Sequence, residues 1–328
     1  MHTAIESPCV WHGEELFSRT DWLHQLNAEH LEQIESLKEE NGKPTHELNR
    51  LCSGIRNSLE NHSGATLVRG LPIENLGEEC AKKLFLKLSS HIGHPVSQSA
   101  DGDLVFSVRD AGYQDDDPRS RGPNTSKKLT FHSDRCDIIG FLCLRQAKSG
   151  GENDIVSSAA IHNLLLKDSP ELLQELYRPF YYKCHNVDAG NTKPYCRQPI
   201  FSLTRDKFAC NLLRVLIDRA YAMPELPDMT DVQREALDAI ESLANQPGIR
   251  AGILQQPGDM LFMNNWVTLH RRSGFEDYLE PERKRHILRV WISPPNNRQI
   301  DPLFMDNYGA VDAGSIRGGM TPVINREQ

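Results

Sequence analysis

At 328 residues, with 38% apolar and 25% charged residues and with 22 glycines and 19 prolines spread along it, the chain has the make-up of an ordinary globular protein, neither disordered nor fibrous. A formal net charge of −8 repels phosphate backbones, and with no long lysine or arginine run to offset it, nucleic acid is not an expected partner. Eight cysteines without a C-x-x-C pair fit buried thiols in a reduced, cytoplasmic protein; the start MHTAIESPCVWHGEELF carries no basic-then-apolar leader, and no run of about 18 apolar residues suits a membrane span.

The length suits one elaborated domain, read as a helical extension over residues 1–62, a core over 64–295 and a tail over 296–328. Trp22, Leu23, Leu26, Leu31, Ile34 and Leu37, then Leu48, Leu51, Ile55 and Leu59, recur at intervals of three and four. Residues 20–61 are therefore expected as surface helices with one buried stripe. Gly64 to Gly70 reads as a short buried strand, and Glu78 to His91 as a helix ending at Gly93.

From Leu104 the pattern changes to short apolar runs: LVFSV, KLTFH, IIGFLCL, DIVSS, FYYKC, QPIF, IRAGIL, DMLFM and HILRVWI. Many short strands imply an α+β chain with a mainly β core, a sandwich or barrel. Helical patches are expected at Ala160 to Tyr177 and Arg205 to Ala222. A third opens with Thr230 and Gln233 in capping-box spacing and stops at Pro247-Gly248. The stretch QDDDPRSRGPNTSKK, Gln114 to Lys128, has no apolar anchor and reads as a mobile loop placed where a lid would serve.

In Leu129-Thr-Phe-His132-Ser-Asp134, His and Asp stand two apart on an expected strand, so both leave the same face. With a second imidazole they would complete the two-histidine, one-carboxylate set that leaves open positions on iron(II). Of thirteen histidines, His2, His24, His30, His46 and His62 fall in polar helical or terminal stretches, whereas His270 follows a glycine-led turn, a strand and a return, GDMLFMNNWVTL. Spacing alone does not make a ligand, since H-x-D is common in chains that bind no metal. Zinc or manganese also suits two histidines and an aspartate, which leaves a zinc hydrolase, a cupin-type isomerase or a silent binding module as competing readings.

Downstream, Arg283-Lys-Arg285-His-Ile-Leu-Arg289-Val-Trp-Ile-Ser-Pro is an apolar strand with arginines four apart on one side. A buried arginine asks for an anion, and the distal carboxylate of a 2-oxo diacid is one that a guanidinium grips bidentately. A structural ion pair is the alternative for Arg285 and Arg289. Ser107, Arg109, Arg135, Asn264, Asn265 and Arg289 are candidate contacts at the site mouth, although such groups more often hydrogen-bond locally. If Arg109 and Arg289 both face the pocket, the substrate carries a carboxylate, a sulfonate or a similar group.

Taken in order, GATLVRGLP, FHSD, SGGENDIVSS, PGDMLFMNNWVTLHRR and RKRHILRVWI resemble the TauD/TfdA (taurine dioxygenase, clavaminate synthase-like) family of Fe(II)/2-oxoglutarate oxygenases, from about Gly64 to Pro295. The resemblance implies a double-stranded β-helix, or jelly-roll barrel, with surrounding helices and the site at its mouth. It implies His132, Asp134 and His270 as iron ligands and Arg285 at the 2-oxoglutarate carboxylate, with Arg289 touching co-substrate or an acidic substrate. The family's usual hydroxyl after the Gly-Gly turn is replaced here by Gly150-Gly-Glu-Asn-Asp154, and Asn153 and Ser157 are the nearest substitutes. The implied chemistry uses O2 and releases succinate and carbon dioxide. A small molecule is hydroxylated, desaturated or cyclised, and halogenation is not implied because Asp134 keeps the position that related halogenases vacate. The expected partner is that small molecule, with a homo-oligomer compatible.

Overall fold

The computed structural model describes residues 2–37, 46–74, 76–113, 122–185 and 188–323. Two opposed sheets form its centre. The larger runs in the order Leu23–Gln25, Ala65–Arg69, Met260–Asn264, Ile138–Arg145, His286–Ser293 and His94–Val96, with Val105–Val108 also paired to His286–Ser293. The smaller places Asn153–Ser157 between Ala251–Ile253 and Thr268–Arg272, antiparallel to both.

The central strands read as unbroken apolar runs because both of their faces are buried. On one face of the large sheet, Leu142, Phe262, Leu288, Val290 and Ile292 pack under the helices His46–Asn61 and Glu78–Ile92. On the other, Leu67, Ile139, Phe141, Leu261 and Met263 meet Ile155 and Ala251 of the small sheet. Val156 and Leu269 turn outward, beneath the helices Ser158–Asp168, Pro170–Leu176, Arg214–Tyr221 and Asp231–Ala244. Period-two alternation thus sends one row of side chains into the barrel and the next under a helical layer.

Tertiary partners override local pattern at several places. Leu23–Gln25 is a strand parallel to Ala65–Arg69, not helix; helices follow at Ala28–Ser36 and His46–Asn61. The expected helix from Arg205 begins only at Arg214, because Phe201–Thr204 and Lys207–Cys210 form a hairpin. Its turn residues Arg205 and Asp206 hold φ of 48° and 60°, the left-handed conformation that tight hairpins need. The patch from Ala160 splits at Ser169, where Pro170 starts a second helix. The Thr230 capping box forms as expected, with Thr230 Oγ1 accepting from the Gln233 amide over 3.2 Å.

Of the expected mobile loop, residues 114–121 lie outside the described residues. Its remainder is tied down: the amides of Ala111 and Phe275 donate to the carbonyls of Asn124 and Ser126 over 3.1 and 3.0 Å. The segment after 295, expected as a tail, packs Ile300, Phe304 and Tyr308 against Trp266. It also sends Arg317 inward to Asp137, 2.6 Å away with both side chains buried. The Gly319 amide then donates to the carbonyl of Arg135, so this segment braces the chain just after Asp134.

Candidate metal centre and active site

His270 lies opposite Ile155 in the small sheet, on its inner face. Beside it runs the stretch 129–134, which is not the expected strand. Its amides meet Thr268–Arg272 only at Leu129 and at His132, where paired backbone hydrogen bonds to His270 measure 3.0 and 2.9 Å. The chain then peels away, because the amide of Ser133 is taken by the carbonyl of Leu212 over 2.8 Å and that of Asp134 by Asn265 Oδ1 over 3.1 Å. Peeling brings Asp134 beside the two imidazoles, so that one donor atom from each of His132, Asp134 and His270 lies within 4.8 Å of the others.

The hydrogen bonds around these donors leave metal-facing atoms free. His132 Nδ1 lies 2.9 Å from the carbonyl of Thr130, which fixes the proton on Nδ1 and leaves Nε2 as a lone pair, 3.8 Å from Asp134 Oδ1. Asp134 Oδ2 accepts from Arg289 Nη1 and from Trp291 Nε1, each over 3.0 Å. Burial opposes the Asp134 charge, but Arg289 foremost outweighs it and the carboxyl is held below its usual value. Burial first, and His132 second, push His270 down to about 3, so its ring is neutral at physiological pH. Its Nδ1 is buried without a hydrogen-bond partner. Two imidazoles and a carboxylate grouped this way, with an orphaned ring nitrogen among them, fit an iron(II) ion with coordination positions to spare.

Beyond His270 the interior turns cationic. Arg285 is 4% exposed; its Nη2 reaches only the carbonyl of Gly151, at 3.4 Å, and its Nη1 has no partner. Gly151 holds φ +81°, and a Cβ there would stand 3.0 Å from Arg285 Nε, so glycine makes room for this side chain. Arg272, directly opposite Asn153 on the inner face, is buried beside it. Asn153 itself donates to Gln255 Oε1 over 2.8 Å.

The other sequence candidates divide clearly. Arg289 is at the centre, its Nε held by Gln98 Oε1 over 2.7 Å. Asn265 supports Asp134 through its backbone and donates to Cys136 Sγ over 3.0 Å. Ser157 caps the helix Ser158–Asp168, accepting from the Ala160 amide and donating to the carbonyl of Cys9 over 2.6 Å, which leaves no hydroxyl for a co-substrate. Ser107 pairs with Leu288 and so faces the helical layer, away from the metal set. Arg109 is exposed on that side too, where its charge bears on Glu78 and His286. Arg135 is bound to Asp188 over 2.5 Å, and Asn264 to the carbonyl of Leu59 over 3.0 Å and to Glu60, both as structural ties.

A family model described as "Taurine catabolism dioxygenase TauD, TfdA family" matches residues 28–291. The chain belongs to this family. FR-33289 synthase of Streptomyces rubellomurinus (strain ATCC 31215) is 31% identical to it over 308 residues, 89% of this chain and 91% of that one. An asparagine oxygenase solved with Fe(II), 2S,3S-3-hydroxyasparagine and succinate gives a TM-score of 0.64 at 18% identity, covering 83% of this chain and 93% of that one. The non-heme iron oxygenase OrfP, solved with Fe and alpha-ketoglutaric acid, gives 0.60 at 18% identity, over 83% and 94%. The two opposed sheets are therefore the double-stranded β-helix of an iron(II)- and 2-oxoglutarate-dependent oxygenase of the TauD/TfdA family.

Three residues packed beside these groups escaped the sequence reading. Trp291 and Arg272 stand two positions beyond Arg289 and His270 respectively, on the same strand faces, so period-two spacing would have found both. Gln98 lies outside any named strand and carries no local signal; only the fold brings it to Arg289.

Proposed function

We propose that this oxygenase hydroxylates a small substrate bearing a carboxylate or another anion, with His132, Asp134 and His270 holding iron(II) and Arg285 holding the distal carboxylate of 2-oxoglutarate. The reading rests above all on Arg285, a buried guanidinium with a free Nη1 and no carboxylate partner among the described residues. Such a cation is costly until an anion meets it, which a zinc hydrolase or a silent barrel does not explain.

When bound, iron(II), 2-oxoglutarate and dioxygen supply the oxidising chemistry, with succinate and carbon dioxide released. The side chains orient and enclose. Arg289 and Trp291 fix the Asp134 carboxylate so that Oδ1 is presented on the His132 side. Arg289 Nη2 makes no hydrogen bond within the protein among the described residues and is available to a substrate anion. The relatives support hydroxylation over desaturation or ring closure: the asparagine oxygenase holds hydroxyasparagine and succinate, and OrfP holds (3S)-hydroxy-L-Arg with succinate. Both of those ligands carry a carboxylate. Eight free thiols support a reducing, cytoplasmic setting.

Succinate formation, measured against a panel of amino acids and other small acids with their amides alongside, tests the substrate class. At least one acid is expected to stimulate turnover and its amide to fail. Stimulation by neutral compounds alone would sink the anionic-substrate reading.

A further inference from the structure

We infer that Arg272 is a second guanidinium of the co-substrate site, meeting the distal carboxylate of 2-oxoglutarate together with Arg285. The inference rests on the assignment of Arg285 to that carboxylate. Arg272 follows His270 by two residues on the strand Thr268–Arg272, and so lies about 7 Å further along the same inner face. A five-carbon diacid that chelates an ion at His270 through its keto acid end extends its second carboxylate across such a gap.

The surroundings of Arg272 and Arg285 lack what two cations need. Their guanidinium carbons stand 4.9 and 5.2 Å from the centroid of the same Phe275 ring. Arg272 is 5% exposed and Arg285 4%, and neither has a carboxylate within ion-pair distance among the described residues. Arg272 Nε and Arg285 Nη1 are both buried without a hydrogen-bond partner. Both guanidiniums carry their positive charge in this buried setting. Two buried cations packed against one ring repel until a shared anion joins them.

A purely structural Arg272 would have to be explained by its remaining bonds. Nη1 donates to the carbonyl of Gly122 over 3.3 Å and Nη2 to that of Lys127, which holds the segment 122–129 against the strand. Those carbonyls are neutral dipoles. They satisfy the terminal nitrogens but leave Nε without a partner and the charge offset only by Asp110, which lies beyond ion-pair distance.

Calorimetric titration of iron(II)-loaded protein without oxygen separates these roles, using 2-oxoglutarate and 2-oxopentanoate, which has the same chain without the distal carboxylate. Arg285→Met and Arg272→Gln are each expected to weaken 2-oxoglutarate binding roughly 10- to 100-fold and to leave 2-oxopentanoate within about twofold. Gln keeps a donor for Gly122; should that variant not fold, Arg272→Lys carries the same comparison with a smaller loss. If Arg272→Gln binds 2-oxoglutarate like the parent, or loses both oxoacids equally, Arg272 is only a clamp and the inference fails. If Arg285→Met leaves 2-oxoglutarate binding unchanged, the Arg285 assignment fails first and takes Arg272 with it.

Discussion

Arg289 Nη1 donates to Asp134 Oδ2 over 3.0 Å, so the carboxylate offered to a metal is shared with a guanidinium. Both side chains are 11% exposed, and removing one member of such a pair strands the other charge. In metal-free protein, Arg289→Met is expected to cost about 3 kcal/mol of unfolding free energy. Manganese(II), as a redox-silent stand-in for iron(II), should recover part of that by supplying the missing positive charge. Urea unfolding with and without the ion checks it; a loss below about 1 kcal/mol would mean the pair is effectively solvent-screened.

Gln98 holds that arginine in place. Its Oε1 accepts from Arg289 Nε, and its Nε2 donates to the carbonyls of Leu104 and Arg289 over 3.0 and 2.9 Å. Gln98→Ala removes all three hydrogen bonds, the two to Arg289 being buried, and is expected to destabilise by about 1–3 kcal/mol. If Arg289 meets the substrate anion, KM for that substrate rises more than kcat falls. Equal loss in the two constants would place Arg289 away from substrate.

Gly151 is tested by adding one carbon. At φ +81°, with Arg285 Nε 3.0 Å from the new Cβ, Gly151→Ala is expected to cost about 1–2 kcal/mol in strain and to weaken 2-oxoglutarate binding by moving Arg285. Unaltered affinity in a folded variant would show that Arg285 does not touch the co-substrate.

Stability should depend on pH through His270. Folded, its pKa is about 3; unfolded, it returns to about 6.5. Between those values the unfolded chain binds the extra proton, so stability falls as pH falls through that window. His286, held at about 4 chiefly by burial, acts in the same direction. Asp134 is lowered instead, so its contribution is intact at pH 5 and is lost only further into acid. Urea midpoints of metal-free protein are expected to drop from pH 7 to pH 5, and by less in His270→Asn. An identical drop in both would argue against a buried neutral ring.

The barrel was legible because period two is a local property: HILRVWI, DMLFM and IIGFLCL alternate between the interior and the helical layer and declare themselves as strands. The donor set was legible for a different reason, the ordered motifs around His132, Asp134 and His270, which the structure brings together. What failed depends on partners distant in sequence. The FHSD stretch leaves its strand because Leu212 and Asn265 capture its amides, and Ser107 and Arg109 face outward because of their register against Leu288. Arg135 reads like a pocket residue until Asp188, more than fifty positions away, takes its charge. Arg272 was within reach of the same alternation, since its place two residues after His270 puts it on the same face of that strand.

The most direct test of the centre is optical. Without oxygen, 2-oxoglutarate added to iron(II)-loaded protein is expected to give a weak visible charge-transfer band, absent in His132→Ala and shifted to higher 2-oxoglutarate concentration in Arg285→Met. A parent protein that holds iron(II) and shows no band with 2-oxoglutarate, or a band that survives His132→Ala, would contradict the assignment of His132, Asp134 and His270 as the iron site.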